Sequence, residues 1–441
     1  MAIHIAAPIG PVLYLDDIEN GHMCLSALFI TSKDDQPWPI RLATGDVHAV
    51  SLAHFENATV WRARFSLPAD RSSEYDWNGE TYRVAGDLTG DFRLAYVSCN
   101  GEEVGDMARE GSERNAMWSR LREAHRSRPF ALMLHGGDQV YADEVTEGHA
   151  LSADWPDTLP RDPSRAALAD LGHYLRERFF ERYAALYDAP ELAWLAARVP
   201  SLMQWDDHDI CDGWGSLRRS RTYSPVGQTL FAAARESFLL FQQAATEDDL
   251  PARFADRSGA HMGWSIHIPG LHIIAPDLRS ERTRRDIMGP RGWAMMEAEA
   301  VRDLPGQTIL MSSVPLLGPR LSLLEAGMMA VPRMQKYEDD LRDQWQSRAH
   351  RASCPAESMG APSGRVVLAW REPASRPSDP RRMSARPARP LCGRAQLSRP
   401  RAARKHLARV VGAGSIRSDT GAPTLNSTHR DRQCSKYCSG P

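Results

Sequence analysis

The spacing of apolar and polar positions changes twice along this chain. Up to about residue 90 it favours strands. "VWRARFSL" (60–67) has strand character, and "EYDWNGETYRVAG" (74–86) places Asn78-Gly79 between aromatic and β-branched flanks. Asn-Gly supplies the two positive-φ positions of a type I′ turn, so a hairpin is predicted there. Residues 1–90 are expected to form a small β-sandwich, with "GDLTGD" (86–91) as linker. From residue 92 short apolar strands alternate with longer helical patterns. Strands are predicted at 92–99, 130–137, 200–205, 271–277 and 307–313, and helices over 107–128, 164–198, 226–246 and 291–303. That alternation predicts an α/β sheet covered by helices. Ligands of such sheets gather beyond the strand ends. Residues 351–441 show no sustained period and are rich in Arg, Pro, Ser and Ala, which predicts a disordered tail.

Composition sharpens this division. The 441 residues, 42% hydrophobic, suffice for a large core. No apolar run is long enough to span a membrane, and the first residues lack a basic n-region. Seven scattered cysteines contain no C-x-x-C pair. A reduced, cytoplasmic setting is the expectation. The net charge of −2 conceals an asymmetry: residues 351–441 hold 18 Lys+Arg against 5 Asp+Glu, and residues 1–350 hold 36 against 51. Sixteen of the tail's 18 bases are Arg, and four of the seven cysteines lie there. Translation out of frame from near residue 351 would account for that composition.

The chemistry is concentrated at strand ends. "AYVSCNG" puts Cys99 and Asn100 after one strand. "LMLHGGDQVYADE" puts Asp138, Tyr141, Asp143 and Glu144 after the next. "LMQWDDHDICD" follows a third strand with Asp206, Asp207, His208, Asp209 and Asp212. Singly, each has an ordinary explanation: a buried thiol, a turn, a helix start. Together they bring thiol, phenol, imidazole and several carboxylates to one sheet edge, and crowded carboxylates need a cation to offset their repulsion. Thiolate and phenolate suit iron, whereas carboxylates alone suit calcium or magnesium. A mixed set suggests two metals sharing one carboxylate, an arrangement used for phosphoester cleavage.

These residues carry a resemblance to the alkaline phosphatase D (PhoD-like) family of metallophosphoesterases. The matching pieces are "SCNG" (98–101), "GGDQVYADE" (136–144), "WDDHDICDGWGS" (205–216), "DLRSERT" (277–283) and "SSVPLLG" (312–318), in the family's order. The resemblance implies a metallophosphoesterase-like αββα sandwich over 92–350 preceded by the small β-sandwich domain. It implies hydrolysis of phosphate mono- or diesters with iron(III) and calcium. By position, Cys99 and Tyr141 would bind iron, Asp138 would bridge the metals and Asp207 would hold the second. His208 would orient phosphate or protonate the leaving oxygen. Asp206 and Asp209 would ligate or support from behind. Arg279 would contact phosphate or pack as a structural arginine.

The resemblance is incomplete. The family closes its site with a later strand ending in Ser-Gly-Asp/Glu-x-His. The segment "YEDDLRDQWQSRAHR" (337–351) still fits the family's helical segment, but no such motif follows it. His406 and His429 lack the preceding strand and acid. Gly45-Asp46-Val47-His48 matches by letters but precedes the site in the chain. A phosphoesterase with impaired turnover is therefore expected. The alternative is a non-enzymatic protein whose basic tail contacts nucleic acid or an anionic surface; Trp370 and Tyr437 are that tail's only aromatics, so nucleic acid is not the expected partner. An adhesion role for the β region has no motif behind it.

Overall fold

The computed structural model describes residues 5–100, 109–302, 304–316 and Trp345, together with the backbone of three later strands. The N-terminal strands are β1 (Ile9–Glu19), β2 (His22–Ser32), β3 (Ile40–Leu42), β4 (Gly45–Val47), β5 (Val50–His54), β6 (Ala58–Pro68), β7 (Ser73–Trp77) and β8 (Glu80–Val84). The predicted Asn78-Gly79 turn joins β7 to β8, with φ of 51° and 79°. Asn20-Gly21, with φ of 50° and 75°, closes the β1–β2 hairpin in the same way. The strands form two antiparallel layers, β1-β2-β6-β5 and β4-β3-β7-β8. Phe29 packs on Trp77 at 5.1 Å and Phe65 on Tyr75 at 5.5 Å between them.

The next elements are β9 (Phe92–Ser98), α1 (Gly111–Arg114), α2 (Ala116–Ser127), β10 (Leu132–Gly136), α3 (Arg165–Asp188), α4 (Pro190–Ala196) and β11 (Ser201–Gln204). Strands β9, β10 and β11 are parallel, and β1 joins β11 in parallel at Tyr14↔Ser201. One mixed sheet thus runs from β9 to β5, and the core crosses the boundary that the sequence suggested near residue 90. Tyr75 donates to the Ala197 carbonyl at 2.6 Å, and Phe55 stacks on Phe180 at 4.4 Å across that boundary. Strands β1 and β2 are buried on both faces along most of their length.

Then follow α5 (Arg219–Thr222), α6 (Pro225–Ser237), β12 (Trp264–Ile268), β13 (Leu271–Ala275), α7 (Pro290–Ala300) and β14 (Gln307–Ser312). Ser164 and Ser224 cap α3 and α6 by accepting from the Ala167 and Gly227 amides. The helix predicted to run to residue 246 changes at Phe238 into a π turn ending at Gln242. A separate sheet, β12-β13-β14, adjoins the first: Trp264 Nε1 donates to Met203 O at 2.8 Å and Gln204 Nε2 to Pro276 O at 2.8 Å. Among the described residues the architecture is mixed α/β, with three sheets. No helix among the described residues is long and apolar enough to cross a membrane.

The expected structureless tail contains strands. β15 (Val366–Trp370) lies parallel beside β14, while β16 (Arg409–Val410) and β17 (Gly414–Ile416) pair antiparallel with β9. A strand therefore stands where the sequence had suggested none after Ser313. "VVLAW" is five residues long in a polar, Arg-rich background, too short to set a period. The residues that follow it, Arg371-Glu372-Pro373-Ala374-Ser375, contain no histidine. The helical segment expected at 337–351 (Trp345 excepted), His406, His429 and most of the tail lie outside the described residues.

Candidate metal centre

Three parallel strands deliver the site. Beyond β9 the chain enters Cys99 at φ 56°; beyond β10 it passes Gly137 at φ 106° and Asp138 at φ 56°. Left-handed backbone at a non-glycine residue costs about 1–3 kcal/mol and persists where surroundings over-determine it. Here the Cys99 amide donates to Gly137 O at 3.0 Å and the Asn100 amide to Asp138 O at 2.9 Å. Trp118 Nε1 holds Asn100 Oδ1 at 2.7 Å.

Asp138, Asp207 and His208 come together, with one potential ligand atom from each lying within 4.8 Å of the others, all three residues buried. Tyr141 is fully buried, its ring stacked on His208 at 4.2 Å and its hydroxyl 3.4 Å from Asp138 Oδ2. His208 Nδ1 donates to Asp143 Oδ2 at 2.7 Å, and its Nε2 lies 3.8 Å from Asp212 Oδ1. Burial alone would push this imidazole toward neutrality. The Asp143 hydrogen bond and the charges of Asp138, Asp143 and Asp207 outweigh burial and raise its pKa well above the ordinary value.

Asp209 lies behind this group and ties two loops together. It accepts from the amides of Asp138 at 2.8 Å, Gln139 at 2.9 Å, Val140 at 3.3 Å and Asp206 at 2.9 Å, and from Gln242 Nε2 at 2.9 Å. Burial and the nearby Asp138 charge push its carboxyl up to about 8, against the pull of those backbone amides. Gln242 reaches Asp209 from the π turn and also donates to Tyr183 Oη at 2.8 Å.

Asp206 is fully buried and pairs with Arg279, whose Nε donates to Asp206 Oδ1 at 2.5 Å. The same guanidinium donates to Asp207 Oδ1 at 3.2 Å and to the Trp214 carbonyl at 2.9 Å. The guanidinium is thus engaged by two carboxylates and a carbonyl. Asp277 anchors the arginine's own loop, accepting from the Arg279 amide at 2.8 Å, the Ser280 amide at 3.0 Å, Trp205 Nε1 at 2.9 Å and the Met262 amide at 2.7 Å.

Of the residues expected at the site, Asp138, Tyr141, Asp207 and His208 are brought together, and Asp206 and Arg279 adjoin them. Cys99 stands half-buried beside the Gly137–Asp138 turn and is not one of the three converging residues. The Asp46–His48 decoy is exposed on the β3–β4 hairpin. Sequence reasoning assigned no role to Asp277, Gln242 or the Asp143–His208 pair. Asp277 did carry a signal, since it follows a strand as Asp138 and Asp206 do.

Two carboxylates and an imidazole, all buried, with a phenol against one of the carboxylates, fit a hard or borderline cation. Residues 79–340, more than half of the chain, match the family described as PhoD related phosphatase. The chain belongs to that family. The uncharacterized protein YGR266W of Saccharomyces cerevisiae (strain ATCC 204508 / S288c) is 23% identical over 316 residues, covering 58% of this chain and 44% of the yeast protein. This chain thus spans less than half the length of that relative. A solved structure of PhoD is similar with a TM-score of 0.42 at 10% identity, covering 71% of this chain and 64% of that one.

Proposed function

We propose that this PhoD-related chain is a metal-dependent hydrolase of phosphate mono- or diesters. The observation that carries the reading is the convergence of Asp138, Asp207 and His208 at the ends of β10 and β11. Asp138 and Asp207 would hold the cation, with Tyr141 and Cys99 completing the iron(III) side and calcium as the second ion that the resemblance implies. A bound metal would supply Lewis-acid chemistry, polarising a phosphate oxygen and acidifying water.

The protein's own residues do the rest. His208 keeps Nδ1 on Asp143, so its Nε2 proton is available to a phosphate or leaving-group oxygen. The Tyr141 ring covers one face of that imidazole and fixes its plane. Arg279 offsets the Asp206 and Asp207 charges and orients Asp207. Asp209 holds the 138–140 loop in register with Asp206. Turnover is lowered in this reading, because the residues after β15 lack the acid-x-His pair that would add ligands. Hydrolysis of p-nitrophenyl phosphate with and without a chelator tests it. Slow, chelator-sensitive turnover is expected; turnover indifferent to chelation would refute metal dependence.

A further inference from the structure

Among the described residues Asp209 accepts five hydrogen bonds, and four come from backbone amides of the two loops it joins. Those amides belong to Asp138, Gln139 and Val140 beyond β10 and to Asp206 beyond β11. The fifth donor comes from outside both loops. Gln242 Nε2 lies 2.9 Å from Asp209 Oδ1 and 2.8 Å from Tyr183 Oη of α3. All three side chains are buried, those of Gln242 and Tyr183 completely. The reverse orientation of the amide would set an oxygen against the carboxylate. Gln242 Oε1 is buried and has no partner among the described residues. An unsatisfied buried acceptor opposes stability, so packing alone does not explain a glutamine here.

The place of Gln242 depends on the π turn Phe238–Gln242, all five residues of which are buried. π turns are rare, and they recur at functional sites. Ala244 follows at φ 47°, left-handed backbone at a buried non-glycine residue. Two unfavourable backbone features in succession thus aim two adjacent glutamines at different partners. Gln242 turns to Asp209. Gln243 turns to β11, donating to the Met203 carbonyl at 3.1 Å and accepting from Arg253 at 2.6 Å. The Phe241 carbonyl just before them accepts from Tyr14 Oη at 2.6 Å and from Tyr187 Oη, which ties the turn to β1 and α3.

We infer that Gln242 is a positioning residue for the metal centre, acting through Asp209. It fixes the rotation of that carboxylate. Oδ1 then faces Gln242 and the Gln139 and Val140 amides, and Oδ2 faces the Asp138 and Asp206 amides. Held in this way, Asp209 keeps Gly137 and Asp138 in left-handed backbone, at φ 106° and 56°. The Asp138 side chain is thereby brought to Asp207 and His208. Control of residues 138–140 stands on this geometry; its effect on a bound cation rests on the metal-dependent reading proposed above.

The test compares Gln242→Met and Gln242→Asn with the parent in the full chain. Methionine keeps the length and loses the donor; asparagine keeps the amide and falls one methylene short. Hydrogen exchange of the peptide carrying residues 138–140, measured without metal, should quicken by about tenfold or more in either variant. Exchange in β1 and β2 should stay as in the parent, and Gln242→Met should keep a urea midpoint close to the parent's, since it also removes the unpartnered Oε1. Equilibrium dialysis should show iron or calcium bound about 10–100-fold more weakly. Either variant serves if the other fails to fold. Unchanged exchange at 138–140, or exchange that quickens equally in β1 and β2, overturns the inference. So does parent-like metal affinity in a variant whose 138–140 exchange has quickened. If the parent binds no metal while the variants loosen residues 138–140, the metal reading fails and the positioning of the loop stands. If the parent binds metal and the variants exchange and bind as it does, the positioning fails and the metal reading stands.

Discussion

Arg279 and Asp207 face each other at 3.2 Å, with the guanidinium 1% exposed and its Nε on the equally buried Asp206. The arginine is the internal counter-charge of the two carboxylates. Removing one partner of such a pair leaves the other charge buried and uncompensated, at a cost of about 3–5 kcal/mol.

Arg279→Met should therefore lower the unfolding free energy by about that amount, read from urea denaturation. Asp206→Asn combined with Arg279→Met should be less damaging than the sum of the two single changes, because the double variant leaves fewer stranded charges. Strict additivity would show that the pair is not coupled.

Gly137 is held at φ +106°, and a Cβ there would lie 2.5 Å from Asp206 Cβ. Gly137→Ala must open the space between the β10 and β11 loops. A loss of roughly 1–3 kcal/mol is expected, with metal binding weakened in the same variant. A thermal melt unchanged from that of the parent chain would contradict the close approach.

His135 offers a pH test away from the candidate ligands. It is buried on β10, with Nδ1 donating to Gln139 Oε1 at 2.8 Å and Nε2 3.2 Å from Ser201 Oγ. Burial pushes its pKa down to about 4, although the Gln139 contact pulls the other way. The folded state resists the proton that the unfolded chain accepts near 6.5. Its contribution to stability is complete above pH 6.5 and is lost as pH falls toward 4, a difference of roughly 3 kcal/mol. His125, also pushed down to about 4, first by burial and then by Arg198 and Arg93, acts in the same direction. His135→Asn should flatten the decline in stability between pH 6.5 and 4; an unaltered slope would contradict this assignment.

What the sequence made legible was local. The Asn78-Gly79 hairpin follows from two adjacent residue types. The strand ends after Ser98, Gly136 and Gln204 were readable because an apolar run stops and polar chemistry starts. What stayed hidden depends on partners distant in the chain. Tyr14 meets Ser201 across a parallel pairing, so the continuity of the sheet through residue 90 has no local signature. Trp205 meets Asp277 72 positions away, and Gln242 meets Asp209 only because a π turn replaces regular helix at Phe238. β15 was hidden by its brevity and its Arg-rich surroundings.

Asp138 and Asp207 are proposed to hold a cation beside His208. Equilibrium dialysis of the purified full chain against iron and calcium, with metal counted by emission spectroscopy, tests it most directly. Bound metal is expected in the parent chain, with most of it lost in Asp138→Asn and in Asp207→Asn while both variants stay folded. Metal content unchanged in those two variants would contradict it.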